Sequence, residues 1–339
     1  MKARRFLLAL PLLLAVVVIG AGVLVARSLS PLAGSEQSIE FRVQPGLSLG
    51  AVARDLERER LVRHAWAFET LARWRGLAGE IRAGEYDLSP HLTTGEILER
   101  IAEGRVRTYR IVIPEGLTAV EIAQRLEEEG LADPGEFLTA VRTQELVNEL
   151  DVEGESLEGY LFPETYQLAR GLPVAEIARA MVAQFHAVWP EIAPSSEALG
   201  LSMLETVTLA SIVEKETGVP EERSLIAAVF HNRLRRGMRL ETDPTVIYGI
   251  PSFDGNLRRT DLEDAGNPYN TYQIPGLPPG PIANPGAAAL RAAVAPASSS
   301  YLYFVSRNDG THEFSSSYAE HSAAVDRFQK RRRGRISPP

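Results

Sequence analysis

The residues best placed to do chemistry are the carboxylates that end the run Leu204 to Thr217, LETVTLASIVEKET. The run begins almost wholly apolar, which for a helix means burial on every side. It then meets Glu214, Lys215 and Glu216 just before Gly218, a residue suited to a helix C-cap. A carboxyl group against an apolar wall has its pKa raised by desolvation. The partial negative charge at a helix C-terminus pushes the same way. A carboxyl that keeps its proton near neutral pH is what a general acid for glycosidic bond cleavage needs. Periodicity does not choose between the two glutamates. Met203, Val207, Ala210 and Glu214 share one helical face, and Leu209, Ile212 and Glu216 share another. The plain alternative makes Glu216 a surface residue at the helix end.

The elements that must hold this helix can be read along the chain. Residues 172–190 and 196–215 carry helical patterns. Gly237 to Gly286 holds seven Gly and eight Pro in 50 residues, so it is irregular, and a long irregular stretch in a compact domain is usually functional or disordered. Tyr248, Tyr269 and Tyr272 within it argue against disorder. Asn308-Asp309-Gly310, between Tyr301–Ser306 and Glu313–Ser316, predicts a hairpin. An amphipathic helix with Tyr318, Val325 and Phe328 follows.

Upstream there is an internal repeat. One copy runs from Phe41 through Pro45-Gly46-Leu47-Ser48 to Val52, Ala53 and Leu56. The other runs from Tyr109 through Glu115-Gly116-Leu117-Thr118 to Ile122, Ala123 and Leu126. Each reads as a short strand, a turn, a Ser or Thr N-cap and an amphipathic helix. Thr118 with Glu121, and Thr93 with Glu96, have capping-box spacing. The pattern resembles LysM-like modules, which bind glycans containing N-acetylglucosamine; a plain structural spacer is the alternative. Glu115 inside the second turn departs from the first copy.

Five segments together resemble the YceG family of endolytic murein transglycosylases: SLEGYLFPETY (156–166), IVEKET (212–217), FHNRLRRGMRLETDPTVIYG (230–249), NTYQIPGLPPGPIANPG (270–286) and YLYFV (301–305). The resemblance covers roughly residues 38–330 and implies a catalytic role for the first glutamate of IVEKET, Glu214. It implies a lyase that cuts MurNAc–GlcNAc bonds inside peptidoglycan strands and leaves 1,6-anhydro-MurNAc ends. The sugar's own C6 hydroxyl then replaces water, so one carboxyl suffices and no metal or cofactor is required. Asn232, Asp243, Thr245, Asn270 and Tyr272 are the further candidates to hydrogen-bond or stack on acetamido-sugars, each with an ordinary capping, turn or packing role as its alternative. Glu158 is either a second site carboxylate or a structural partner. The resemblance also implies work beside glycan polymerases, penicillin-binding proteins among them, on nascent strands at the growing wall.

Several classes are excluded or disfavoured. A net charge of -8 argues against nucleic-acid binding. The absence of cysteine removes disulfides, thiolate zinc sites and thiol nucleophiles. Gly46-Leu47-Ser48-Leu49-Gly50 matches a hydrolase nucleophile pattern, but the second copy places Thr118 and Val120 there, so Ser48 reads as an N-cap. The six histidines show no metal-ligand spacing. Two rivals remain: a hydrolase using water with Glu158 or Asp243 as second carboxylate, and a non-catalytic peptidoglycan-binding membrane scaffold.

At the N-terminus, Lys2, Arg4 and Arg5 precede an uncharged run, Phe6 to Ala26, whose 21 residues suffice for about 30 Å of helix. The basic cluster predicts a cytoplasmic N-terminus and an extracytoplasmic, periplasmic remainder on the plasma (inner) membrane. The expected organisation is α+β: a cytoplasmic tail (1–5), a single transmembrane helix (6–26), a linker (28–37), a LysM-like module (38–108), a second repeat (109–150), a mixed α/β catalytic domain (151–330) and a basic tail (331–339).

Overall fold

The computed structural model describes residues 2–32 and 37–330, with side chains from Ala15 onward. The tail at 331–339, residues 33–36 of the expected linker, and the side chains of the tail at 1–5 and of 6–14 in the expected span lie outside the described residues. Contacts divide the chain into two units: Met1–Tyr109 with Gln167–Gly171, and Arg110–Tyr166 with Leu172–Pro339.

The first unit opens with α1 (Lys2–Leu29). Its described side chains, Ala15–Leu29, are apolar except Arg27 and Ser28 in the last turn, and Val16, Ile19 and Leu24 are exposed. Among the described residues no single helix is long and apolar enough to cross a membrane. Then come β1 (Ile39–Val43), α2 (Leu49–Arg58), α3 (Ala65–Trp74), β2 (Gly84–Leu88) and α4 (Thr94–Glu103). β1 pairs antiparallel with β2, placing Phe41 opposite Tyr86. Both rings enter a core with Leu56, Phe68 and Ile97. Ser48 caps α2 through Ala51 N–H, as its position in the turn predicts. Thr93 and Glu96 close the expected box on α4.

The second unit begins in β3 (Tyr109–Val112), with α5 (Ala119–Glu128), α6 (Pro134–Ala140) and α7 (Gln144–Glu149) before β4 (Thr165–Leu168). β3 lies beside β4, and Ile113 N–H donates to the Glu164 carbonyl at 2.9 Å. So each copy of the repeat is closed by a returning strand, β2 or β4, that periodicity does not reveal. Both are short and half-polar, and their pairing supplies what their pattern lacks.

α8 (Val174–Leu199) is a single helix through Pro190 and Pro194, where the sequence suggests a break. An interior proline costs about 3 kcal/mol. Burial of Ile192 and Ser196 beyond Pro190, with Ile177, Met181 and Phe185 before it, offsets that loss. α9 (Met203–Glu216) is buried all round from Thr206 to Val213, which is why its sequence is apolar on every face. It packs on α10 (Arg223–Arg235) and α13 (Ala287–Val294), with α11 (Asp243–Tyr248) and α12 (Arg259–Glu263) lying between those two in sequence. The hairpin forms as β5 (Tyr303–Ser306) and β6 (His312–Ser315), with Phe304 opposite Phe314, and α14 (Tyr318–Val325) closes the unit.

One expectation is corrected. Gly218 is not a left-handed C-cap: the cap of α9 is Thr217, with φ -83 and ψ 111. Gly218 is needed for space instead, because a Cβ there would come within 2.3 Å of the Gly310 carbonyl oxygen in the hairpin turn.

Candidate active site

Glu214 lies in the last turn of α9 with its side chain 9% exposed. Its Oε2 accepts from the Gly286 N–H at 3.1 Å, at the start of α13. Arg223, at the start of α10, approaches Oε1 at 3.5 Å. Burial is the strongest influence on this carboxyl and raises its pKa. The Gly286 N–H and Arg223 lower it, the Glu115 charge raises it, and the balance is upward. Sequence alone predicts this direction from the apolar helix, but not the partners.

Glu216, two residues on, has a different setting. It accepts from the Thr242 hydroxyl. Burial raises its pKa too, with the Thr242 bond lowering it and Asp243 raising it. It lines a cleft of about 330 Å³ together with Asp243, Tyr272, Arg233, Tyr303 and Phe304. The Tyr272 hydroxyl donates to Asp243 Oδ1 at 2.7 Å.

The irregular stretch is built into the site. Pro281 to Gly286 is entirely buried, and Ile282 N–H donates to Ser211 Oγ on α9 at 3.0 Å. Asn284 Oδ1 accepts from Gly159 N–H at 2.8 Å and Leu161 N–H at 2.9 Å. Its Nδ2 donates to Glu158 Oε1 and to the Leu117 carbonyl, both at 2.9 Å. Gly159 has φ +91, and a Cβ there would meet Pro281 at 2.6 Å. Glycine is therefore required at 159 on both counts.

Glu158 is buried and takes a structural position. Its carboxyl accepts from the Ala119 N–H at the start of α5, from Asn284 and from the Tyr248 hydroxyl. Burial raises its pKa to about 7 against these bonds. The other candidates separate. Asp243 and Tyr272 face the cleft. Asn232 spends its Nδ2 on the Ser299 and Tyr301 carbonyls. Thr245, fully buried, bonds the Thr242 carbonyl and Thr271. Asn270, also fully buried, donates to the Asp261, Leu262 and Asp264 carbonyls. These three hold loops rather than face the cleft.

Three residues near Glu214 escape sequence reasoning: Arg223, Asn284 and Glu115. Only Glu115 carries a signal, as the charged residue where the first copy has Pro45.

The sequence profile of the YceG-like family matches residues 41–327. A relative from Bacillus subtilis (strain 168), named endolytic murein transglycosylase, is 29% identical over 310 residues, covering 87% of this chain and 86% of its own. One of the same name from Streptococcus pneumoniae serotype 2 is 28% identical over 313 residues, and the match spans 83% of this chain but only 56% of that longer relative. A crystal structure of a yceG-like protein from Listeria monocytogenes aligns with TM-score 0.59 and 31% identity, over 85% of this chain and 99% of that one. With Glu214, the first glutamate of IVEKET, nearly buried in the last turn of α9, and SLEGY joined to IANPG through Asn284, the chain belongs to the YceG-like family.

Proposed function

We propose that this chain is an endolytic murein transglycosylase with Glu214 as its single acid/base. The relatives bearing that name support the activity. The observation that carries the residue is a nearly buried carboxyl at the end of α9, held by the Gly286 N–H, with burial raising its pKa. Its Oε2 is oriented by the Gly286 N–H, and Oε1 has only the long Arg223 approach among the described residues.

In this reading, protonated Glu214 donates to the glycosidic oxygen between MurNAc and GlcNAc as the bond to MurNAc C1 breaks. The resulting carboxylate takes the proton of the MurNAc C6 hydroxyl as that oxygen bonds to C1. One strand ends in 1,6-anhydro-MurNAc, the other in a free GlcNAc hydroxyl, and Glu214 regains its proton. No water is consumed. Asp243 and Tyr272 are the sugar-contacting candidates that face the cleft. A second carboxylate for a hydrolase has less support, since Glu158 is occupied by α5 and Asn284, and Asp243 by Tyr272.

The organisation goes with it. Residues 38–108 form a LysM-like module, supported by the order β1-α2-α3-β2 with antiparallel strands. Residues 109–150 repeat it, and 151–330 complete the catalytic domain, acting on nascent strands beside glycan polymerases. The chain is anchored N-terminus inward by α1. Trp66 and Trp74 support this: they are 46% and 81% exposed, and they line an apolar cleft with Val25 and Leu29 at the end of α1. Such exposed tryptophans suit a membrane interface.

The test is mass spectrometry of fragments released from purified peptidoglycan by the full chain in detergent. Anhydro-ended fragments, lost by roughly 10²–10⁴-fold in Glu214→Gln and retained in Glu216→Gln, are expected. Fragments heavier by one water indicate a hydrolase. An unaffected Glu214→Gln sinks the assignment.

A further inference from the structure

The turn of the second repeat brings a charged side chain to a place where the first repeat has none. The two copies align through Gly46 and Gly116, with φ +79 and +78, and through the caps Ser48 and Thr118. Glu115 then stands where Pro45 stands. Its carboxylate lies against Gly286: a Cβ on Gly286 would come within 1.8 Å of Glu115 Oε1 and 2.1 Å of its Cδ. Gly286 has φ -78 and ψ 170, a backbone any residue adopts, so what a side chain would meet there is the Glu115 carboxylate itself. The N–H of this same Gly286 is what Glu214 accepts. Gly116, the next residue in the turn, has its own carbonyl bonded by Lys215 Nζ at 3.2 Å, and its Cα faces Glu214 Cγ.

We infer that Glu115 is a positioning residue of the reaction, acting through Glu214. Two carboxyl groups held against one glycine repel when both are ionised, so the charge of one favours the protonated form of the other. Glu115 is exposed and Glu214 nearly buried. Charge is better solvated at the exposed site, so the proton resides on Glu214, ready for transfer. The other charged groups facing Glu214 are Arg223 from α10, which opposes this, and Lys215 of α9, whose ammonium is engaged by the Gly116 carbonyl. Glu216 and Asp243 lie in the neighbouring cleft. The Glu115 charge acts on Glu214 in the direction required. On this account the second repeat serves catalysis rather than glycan binding.

The inference rests on Glu214 as the acid, and the experiment separates the two. Initial rates of fragment release are measured against pH for the full-length wild type, Glu115→Gln, Glu115→Asp and Glu214→Gln. Glu115→Gln is expected to move the alkaline limb down by roughly one pH unit. Its rate then falls about tenfold on the alkaline side and returns to the wild-type value on the acid side. Glu115→Asp keeps the limb near the wild-type position. A limb for Glu115→Gln that superimposes on the wild type, or a rate reduced equally at every pH, overturns the role of Glu115. A fully active Glu214→Gln overturns the assignment of the acid itself.

Discussion

The two copies of the strand–turn–helix repeat share one pattern of turn, cap and apolar spacing and end in different employment. In the first, Ser48 caps α2, and the turn Gln44-Pro45-Gly46 carries no carboxylate of its own. In the second, Thr118 and Glu121 box α5, the buried Glu158 accepts from its first N–H, and the turn carries Glu115 to Gly286. The difference teaches that a repeat's fold is set by caps and apolar spacing, while its use is set by the few side chains that those rules leave free. A turn residue is such a position.

The comparison can be broken in three further ways. The largest effect belongs to Glu158, whose buried carboxyl accepts from the first N–H of α5. Its folded pKa is about 7, above the unfolded carboxyl value near 4.5. The folded state therefore binds the extra proton between those values. The stability from this group is full below about 4.5 and is lost as pH rises to about 7. Urea unfolding across this window should show a fall of order 3 kcal/mol from Glu158. Glu158→Gln, which keeps an acceptor for Tyr248, should flatten that part of the slope. An unchanged slope would detach α5 from the buried carboxyl.

Next comes Gly286→Ala. The new methyl overlaps the Glu115 carboxylate, so one of them moves, at about 1–3 kcal/mol if the backbone yields. Thermal unfolding and cleavage rate should both fall, and Glu115→Ala in the same chain should restore stability. A Gly286→Ala variant as stable and as active as wild type would show that the turn is not held there. The smallest effect is the one the copies share. Ser48→Ala and Thr118→Ala should each lose about 1 kcal/mol in denaturant unfolding, because each removes one cap acceptor. A large inequality between them would mean the two helices are not equivalently started.

Much of this is legible in the order of the residues. Capping residues act locally, so Ser48, Thr93 and Thr118 are readable from spacing alone. The all-apolar approach to Glu214 announces a buried helix with a carboxyl at its end. The hairpin announces itself through Asn308-Asp309-Gly310. What is not legible depends on partners distant in sequence. Asn232 and Asn270 have the side chains of sugar ligands, yet their amides are taken by carbonyls that no local pattern predicts. Asn284, followed by proline, has the pattern of a turn, yet it joins Gly159, Leu161, Leu117 and Glu158.

By itself, then, the sequence determined the buried helix α9 with its pair of glutamates, the caps, the repeat and the apolar N-terminal stretch, because each is encoded in residues a few positions apart. The run of α8 through Pro190 and Pro194 and the short helices α11 and α12 came instead from packing. Only the tertiary structure decided which environment each glutamate receives: Gly286, Arg223 and Glu115 for Glu214, Thr242 and the aromatic cleft for Glu216. It also decided that Gly218 is a glycine for want of space, not for backbone freedom. Proton affinity and close approach depend on what folding brings within a few ångströms, and that information is spread over the whole chain.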